Sequence, residues 1–306
     1  MKILIATQKP FAKVAVNGIK DILTKAGHET VLLEKYADQS DLIKAVTDAE
    51  ALIIRSDKVT KEVIEAGKKL KIIVRAGSGF DNVDLEAATA HNIIVENTPG
   101  QNSNAVAELA IAMMIFMSRN QFTPTAGCEI SGKKIGIQAF GNVGRLVGKK
   151  AEAMGMSVMA IDPFIPADKI TELGATPAKT LEELYSLCDY ISIHIPATPE
   201  TIKSINYELI TKMPQGAVLV NTARKEVIDE EGLDKALEVR QDLKYITDVM
   251  PDNYAKLQEK YGLRVFATPK KMGAQTAEAN INAGLAAATQ IAEYFNNGSV
   301  KFQVKK

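Results

Sequence analysis

Short runs of β-branched and aliphatic residues recur along the whole chain, and an amphipathic stretch separates nearly every pair of them. This alternation constrains the fold more than any other feature. Strands covered by helices on both faces read as continuous apolar runs, and parallel neighbours need a helical crossover. The expected strands are Lys2–Ala6, Thr30–Leu33, Ala51–Ser56, Lys71–Ala76 and Ile93–Asn97. They are followed by Lys134–Phe140, Met156–Asp162, Tyr190–Ile195, Ala217–Thr222, Tyr245–Val249 and Arg264–Thr268. Helical periodicity falls over Ala12–Ala26, Asn104–Arg119, Gly144–Met154, Thr180–Leu187 and Glu230–Glu238, with a last helix at about Ala274–Asn296. The reading is an α/β chain of doubly wound parallel sheets.

A length of 306 residues suits two domains. The segment Asn120–Lys133, rich in Thr, Pro and Gly, interrupts the rhythm, which restarts at Lys134. The first five strands are therefore assigned to one unit and the last six to a second. The final helix is expected to cross back to the first unit. Lysine plus arginine balance aspartate plus glutamate at 37 each, so no global positive field favours nucleic acid. The longest apolar run, about Leu109–Met117, falls short of the roughly 20 residues of a membrane-spanning helix. The opening strand runs straight into polar residues, unlike a signal peptide. Cys128, Cys188 and three scattered histidines have no metal-ligand spacing, so no metal site is expected, and two thiols suit the cytoplasm.

The strand at Lys134–Phe140 leads into Ala139-Phe-Gly141-Asn142-Val143-Gly144 and then a helix, the context of a dinucleotide fingerprint. Ala139 stands where the first glycine is usual. Gly141 lets the backbone approach a pyrophosphate, Gly144 allows close helix–strand packing, and the helix N-terminus favours the phosphates. The next strand ends at Asp162, 18 residues beyond Gly144. An acidic side chain there accepts from a ribose 2′-hydroxyl and repels a 2′-phosphate, which favours NAD over NADP.

Two strands of the first half end in arginine, at Arg55 and at Arg75, the latter followed by Ala76-Gly77-Ser78-Gly79. Ligands of open α/β sheets bind beyond the carboxyl ends of the strands. Paired guanidiniums and a glycine-flanked loop there suit a phosphate or carboxylate. A third arginine, Arg224, follows the strand Ala217–Thr222 and suits a carboxylate clamp.

Together these motifs resemble the D-2-hydroxyacid dehydrogenases over essentially the whole chain. The matching segments are Val74-Arg-Ala-Gly-Ser-Gly-Phe-Asp-Asn-Val-Asp84, Asn97-Thr-Pro-Gly-Gln-Asn102, Val106-Ala-Glu-Leu109, the glycine loop, Ile193-His-Ile-Pro196 and Asn221-Thr-Ala-Arg224 with Asp229-Glu-Glu. The resemblance implies a Rossmann NAD-binding domain, residues 99–274, inserted in a flavodoxin-like substrate lobe made of residues 1–98 and 275–306. It implies NAD-linked oxidation of a phosphorylated 2-hydroxy acid, 3-phospho-D-glycerate, to 3-phosphohydroxypyruvate, the first step of serine biosynthesis. On the same ground Arg224 grips the carboxylate and carbonyl oxygen, aided by the amides of Ser78 and Gly79, and Arg55 and Arg75 fit the phosphate. Asp162 fits the adenine ribose, His194 and Pro196 sit near the adenosine half, and Thr222 and Asp248 fit the nicotinamide amide. Two other readings stand beside this one: a dehydrogenase of an unphosphorylated acid such as glycerate or lactate, and an NAD-sensing protein without catalysis.

The chain departs from the family pattern at two places. Where members carry a histidine, in a segment like Thr-Pro-His-Ile-Gly-Ala-Ser-Thr, this chain reads Thr268-Pro-Lys270-Lys271-Met-Gly273-Ala-Gln-Thr276, one residue longer. Counting back from Gly273 and Thr276 puts Lys271 in the histidine's place; counting forward from Pro269 puts Lys270 there. The downstream helix fixes the register, which favours Lys271. The partner glutamate of an Asp-Val-Phe-x-x-Glu-Pro segment is also missing: Asp248-Val-Met-Pro-Asp-Asn253 puts Asn253 there, with Asp252 one residue away. The two changes are physically consistent. A lysine base must be neutral, which a neighbouring cation promotes and a carboxylate opposes. Finally, the stretch Asn97–Arg119, with its run Met113-Met-Ile-Phe-Met117, is more apolar than one buried face requires. It predicts a dimer contact, or else a helix buried between the domains.

Overall fold

The computed structural model describes residues 1–305, and the chain divides into two compact units. One comprises Met1–Asn102 together with the residues from Gln275 onward; the other is Ser103–Ala274.

The first unit holds β1 (Lys2–Thr7), β2 (Glu29–Glu34), β3 (Ala51–Ile54), β4 (Ile72–Arg75) and β5 (Ile94–Asn97). They form one parallel sheet in the order β2-β1-β3-β4-β5. This is the flavodoxin-like order, whose switch point lies between β1 and β3. The central strands are buried on both faces, as their unbroken apolar runs require; all four residues of β3 are inaccessible. The long helix Ala277–Asn297 packs on the helix Lys13–Lys25, and Ala283, Ala287, Ala288 and Ile291 enter the core under β1, β3 and β4. The chain end is tied to β5, where the buried Glu96 carboxylate accepts from the Phe302 amide at 3.0 Å.

The second unit holds β6 (Lys134–Gln138), β7 (Ser157–Ile161), β8 (Thr176–Pro177), β9 (Tyr190–Ile193), β10 (Val218–Asn221), β11 (Lys244–Thr247) and β12 (Val265–Ala267). Their parallel order is β12-β11-β10-β9-β6-β7-β8, a Rossmann arrangement with its switch point between β6 and β9. The six strands expected here are seven. The extra one, β8, has only two residues and ends in Pro177, so it carries no apolar run and sits at the sheet edge, where a missing donor is tolerated. The apolar helix Ser103–Ser118 is covered within its own unit. It packs on the helix Asn142–Ala153 and on β10 and β11, burying Ala107, Ala110, Met113, Met114 and Met117. Much of its apolar surface is thus accounted for without a partner. Among the described residues no helix is long and apolar enough to cross a membrane.

Candidate active site

In the first unit the side chains of interest sit where β3 and β4 end. The Arg55 guanidinium reaches the carbonyls of Lys9 and Pro10, each at 3.1 Å from Nη1, donates through Nη2 to Asn280, and lies over the Phe11 ring at 5.1 Å. Its partial burial lowers its proton affinity, an effect the nearby Asp57 carboxylate opposes, and a guanidinium stays charged regardless. Asp57 is itself buried and organises the strand end, accepting from Tyr36 Oη at 2.7 Å and from the amides of Gln8 and Arg55. The Arg75 Nε donates to the Arg55 carbonyl at 2.9 Å, so the two strand ends are linked.

Gly77 explains how Arg75 lies across the following loop. Its φ is +150°, and a Cβ there would fall 1.6 Å from Arg75 Nη1. Only glycine offers both the conformation and the space. The loop is held from below: Thr98 N donates to Gly77 O, Asn97 Nδ2 donates to Ser78 O, and Ser78 Oγ donates to Asn102. Gly79 follows directly after the bend at residues 76–78. Arg55, Arg75, Ser78 and Gly79 thus form one neighbourhood. Asn280, whose only sequence signal is that it falls four residues after the helix-capping Thr276, was missed as part of it.

In the second unit the glycine loop flanks the switch point. His194 N donates to Gln138 O, joining the ends of β9 and β6. Ala139 adopts φ +73°, a left-handed conformation that costs an L-residue about 1–2 kcal/mol. Gly144 is demanded by packing, since a Cβ there would sit 2.3 Å from the Ala139 carbonyl oxygen. Gly141 is different: it caps the helix that Asn142 and Val143 begin, its φ is an ordinary −76°, and a Cβ there would meet nothing within 4 Å. The chain's own packing gives no reason for glycine at this helix N-terminus, whereas a pyrophosphate lying on it does. Asp162 accepts from the Phe140 and Phe164 amides at 2.8 and 2.9 Å, so the carboxylate both faces and fastens the loop. Burial pushes the His194 imidazole down to about 4, and its Nε2 lies 2.9 Å from Ser192 Oγ, so the ring is neutral at physiological pH. The Pro196 carbonyl accepts from Thr201 Oγ1, which fixes the turn after it.

The turn after β10 carries the remaining chemistry. Asn221 staples it, accepting from Ala223 N at 2.9 Å and donating to Arg224 O at 2.8 Å. Arg224 Nη1 and Lys271 Nζ both donate to the Ala223 carbonyl, at 2.9 and 3.4 Å. The structure thus brings Lys271 to Arg224. Lys270, exposed like Lys271, has its backbone carbonyl 2.9 Å from Thr268 Oγ1. Thr222 Oγ1 is buried and has no hydrogen-bond partner, an orphan polar group facing the need for one. Asp252 pairs with Lys225 at 2.5 Å and is largely exposed, while the backbone amides of Asp252 and Asn253 are held by Glu230. That pairing occupies one oxygen of the Asp252 carboxylate. The Gly141 space, the orphan Thr222 hydroxyl and the Asp162 carboxylate together fit a dinucleotide whose adenine ribose carries a free 2′-hydroxyl.

Residues 107–269 match the sequence profile of the D-isomer specific 2-hydroxyacid dehydrogenase NAD-binding domain. The chain belongs to the D-2-hydroxyacid dehydrogenase family. Its likeness to family members runs well beyond that domain. It is 38% identical over 298 residues to D-3-phosphoglycerate dehydrogenase of Methanocaldococcus jannaschii, a match covering 89% of this chain and 57% of that protein. Identity to hydroxypyruvate reductase of Thermotoga maritima is 38% over 277 residues, covering 84% of this chain and 88% of the other. Several of the phosphoglycerate dehydrogenase relatives are much longer, and this chain spans about half or less of those from Synechocystis and Arabidopsis thaliana. Among solved structures, NAD+-bound 3-phosphoglycerate dehydrogenase of Entamoeba histolytica superposes with a TM-score of 0.88 at 51% identity, covering 100% of this chain and 99% of the other. D-2-hydroxyisocaproate dehydrogenase, at 19% identity and a TM-score of 0.83, shares the fold.

Proposed function

We propose that the chain oxidises 3-phospho-D-glycerate to 3-phosphohydroxypyruvate with NAD, with Lys271 as general base. The observation that carries this reading is the meeting of Lys271 Nζ and Arg224 Nη1 at the Ala223 carbonyl. A guanidinium beside an amine disfavours the ammonium form, and a base must be neutral to accept a proton. Where relatives pair a histidine with a glutamate, this chain pairs a lysine with an arginine, and both are directed at one point.

The roles follow from the chemistry of each group. Arg224 holds the substrate carboxylate and the C2 oxygen, and its charge stabilises negative charge developing there. Lys271 takes the C2 hydroxyl proton and becomes an ammonium; the same ammonium returns the proton in reduction. NAD, when bound, would supply the acceptor for the C2 hydrogen, which leaves as hydride. Asp162 takes the ribose hydroxyls, Thr222 the nicotinamide amide, and the neutral His194 with Pro196 the adenosine side. In the first unit, Arg55 and Arg75 are assigned to the phosphate and the Ser78–Gly79 amides to the carboxylate. The 51% identity to the Entamoeba histolytica enzyme supports the phosphorylated substrate, and the linked arginine pair gives it a physical basis. A cytoplasmic homodimer completes the reading; Phe122, packed edge-on against Phe116 of the helix Ser103–Ser118, is one of the exposed apolar side chains that such an interface would cover.

The test is NADH absorbance with 3-phosphoglycerate, 3-phosphohydroxypyruvate, glycerate and lactate, together with light scattering for the mass in solution. Turnover of the phosphorylated pair at the highest kcat/KM supports the proposal. Preference for an unphosphorylated acid, or NADH binding without turnover of any of them, overturns it.

A further inference from the structure

We infer that Asp248 is the residue that positions Lys271, by clamping the loop between Thr268 and Gly273 on either side of the lysine pair. This inference rests on Lys271 as the base. Asp248 is 1% exposed, and both carboxylate oxygens are engaged by that loop. Oδ1 accepts from Thr268 Oγ1 at 2.8 Å and from Met272 N at 2.7 Å; Oδ2 accepts from Gly273 N at 2.8 Å. One donor precedes Lys270 and Lys271, and two follow them. The backbone of Asp248 is anchored in turn, its amide donating to Asn221 O at 2.9 Å. Asn221 is the residue that staples the Arg224 turn. A single short path of hydrogen bonds therefore runs from the arginine turn to the lysine loop.

The loop's length makes such a clamp necessary. With one residue more than the family pattern and two adjacent lysines, a free loop has two registers, each presenting a different amine. Fixing Thr268 on one side and the Met272 and Gly273 amides on the other selects one. Gly273 is part of the device, because a Cβ there would fall 3.1 Å from Asp248 Oδ2 and 3.2 Å from Val106. The Thr268 hydroxyl also lies 2.9 Å from Lys270 O, but its single proton goes to the carboxylate, the stronger, charge-assisted acceptor. A carboxylate so occupied is better suited to holding a loop than to receiving a nicotinamide amide, the role that the family likeness suggests for this position.

The two roles are separable with Asp248→Asn. A carboxamide has one acceptor oxygen where the carboxylate has two, and it turns an NH2 toward one of the three donors. If Asp248 positions Lys271, kcat falls on the order of 10- to 100-fold, the penalty of misplacing a catalytic group by an ångström or so. The NADH dissociation constant, read by fluorescence, changes little. Thr268→Val reproduces part of the kcat loss and Thr268→Ser restores it, while thermal melting reports any loss of fold. In the Lys271→Ala background Asp248→Asn has no further effect on kcat. Additive losses, or a loss confined to NADH affinity, overturn the positioning role and leave Lys271 as the base. A fully active Lys271→Ala overturns the base itself, and the positioning role with it.

Discussion

Lys271 and Arg224 donate to one acceptor, the carbonyl oxygen of Ala223, from 3.4 and 2.9 Å. In general a guanidinium held beside an amine disfavours the ammonium form, and only the amine can respond by losing its proton. Lys271→Ala is therefore expected to reduce kcat/KM for oxidation by about 10²- to 10⁴-fold, the span of general-base catalysis. Lys270→Ala is expected to stay near the parent value. In the parent chain kcat/KM for oxidation should rise with pH as the amine deprotonates, and Lys271→Ala should flatten that limb. Steady-state rates across pH for the three proteins decide it; equal losses at both lysines would leave no assignment.

Gly141 and Gly144 are expected to respond differently to the same change. At Gly141 alanine meets no protein atom within 4 Å, and φ −76° suits any residue, so melting of Gly141→Ala should match the parent. Its NAD affinity should fall by at least tenfold, about 1.4 kcal/mol, because the methyl group takes the pyrophosphate's space. At Gly144 the methyl carbon would sit 2.3 Å from the Ala139 carbonyl oxygen, so Gly144→Ala should lose about 1–3 kcal/mol of stability. Calorimetric melting and NADH titration of both variants separate the two. A Gly141→Ala protein that binds NAD like the parent would remove the pyrophosphate from this helix end.

These two glycines also mark what a sequence can and cannot convey. Strand positions and strand–turn–helix context were legible because apolar runs such as Ala51–Ile54 have no other use than burial on two faces. Asp162 was legible for the same reason, from its place at the end of such a run. The two-residue β8 carried no periodicity, so it was not. Neither was the Asp248 clamp: its three donors come from residues 20 to 25 positions later, and nothing in local spacing announces such a contact. Asn280 on Arg55 is the same case at a separation of 225 residues. The choice between Lys270 and Lys271 lay between the two extremes. Register arguments favoured Lys271, but which amine reaches the Arg224 turn depends on how the loop closes.

Ala139 carries strain that glycine would relieve. Its φ of +73° costs an L-residue about 1–2 kcal/mol, partly offset in the glycine variant by a more flexible unfolded chain. Ala139→Gly is expected to raise stability by about 0.5–1 kcal/mol, since the substitution also restores the residue usual at this turn. Denaturant melts read the change. A lower midpoint would mean that the alanine methyl group makes packing contacts, with the hydrophobic cluster it lies against, worth more than the strain.

Two aspartates of the second unit set its behaviour in acid. Burial works to raise the Asp234 pKa, but hydrogen bonds from Lys256 at 2.6 Å, from Tyr261 and from Lys260 at 3.2 Å outweigh it and hold the carboxyl down at about 2. Asp242 is held well below the usual carboxylate range by Arg240, which donates through Nε at 2.9 Å and Nη2 at 2.6 Å, and by the Gly216 amide. Each carboxyl binds its proton more weakly folded than unfolded. The stabilisation is therefore complete above the unfolded value of about 3.9 and is lost as pH falls through the folded value. For Asp234 the difference amounts to about 2 kcal/mol between pH 5 and pH 2. Urea midpoints measured from pH 7 to pH 2 should fall steeply below pH 4 in the parent chain. Asp234→Asn should be less stable at pH 7 and lose less on acidification, so that the two curves converge near pH 2; parallel curves would show that the ion pair contributes nothing to folding.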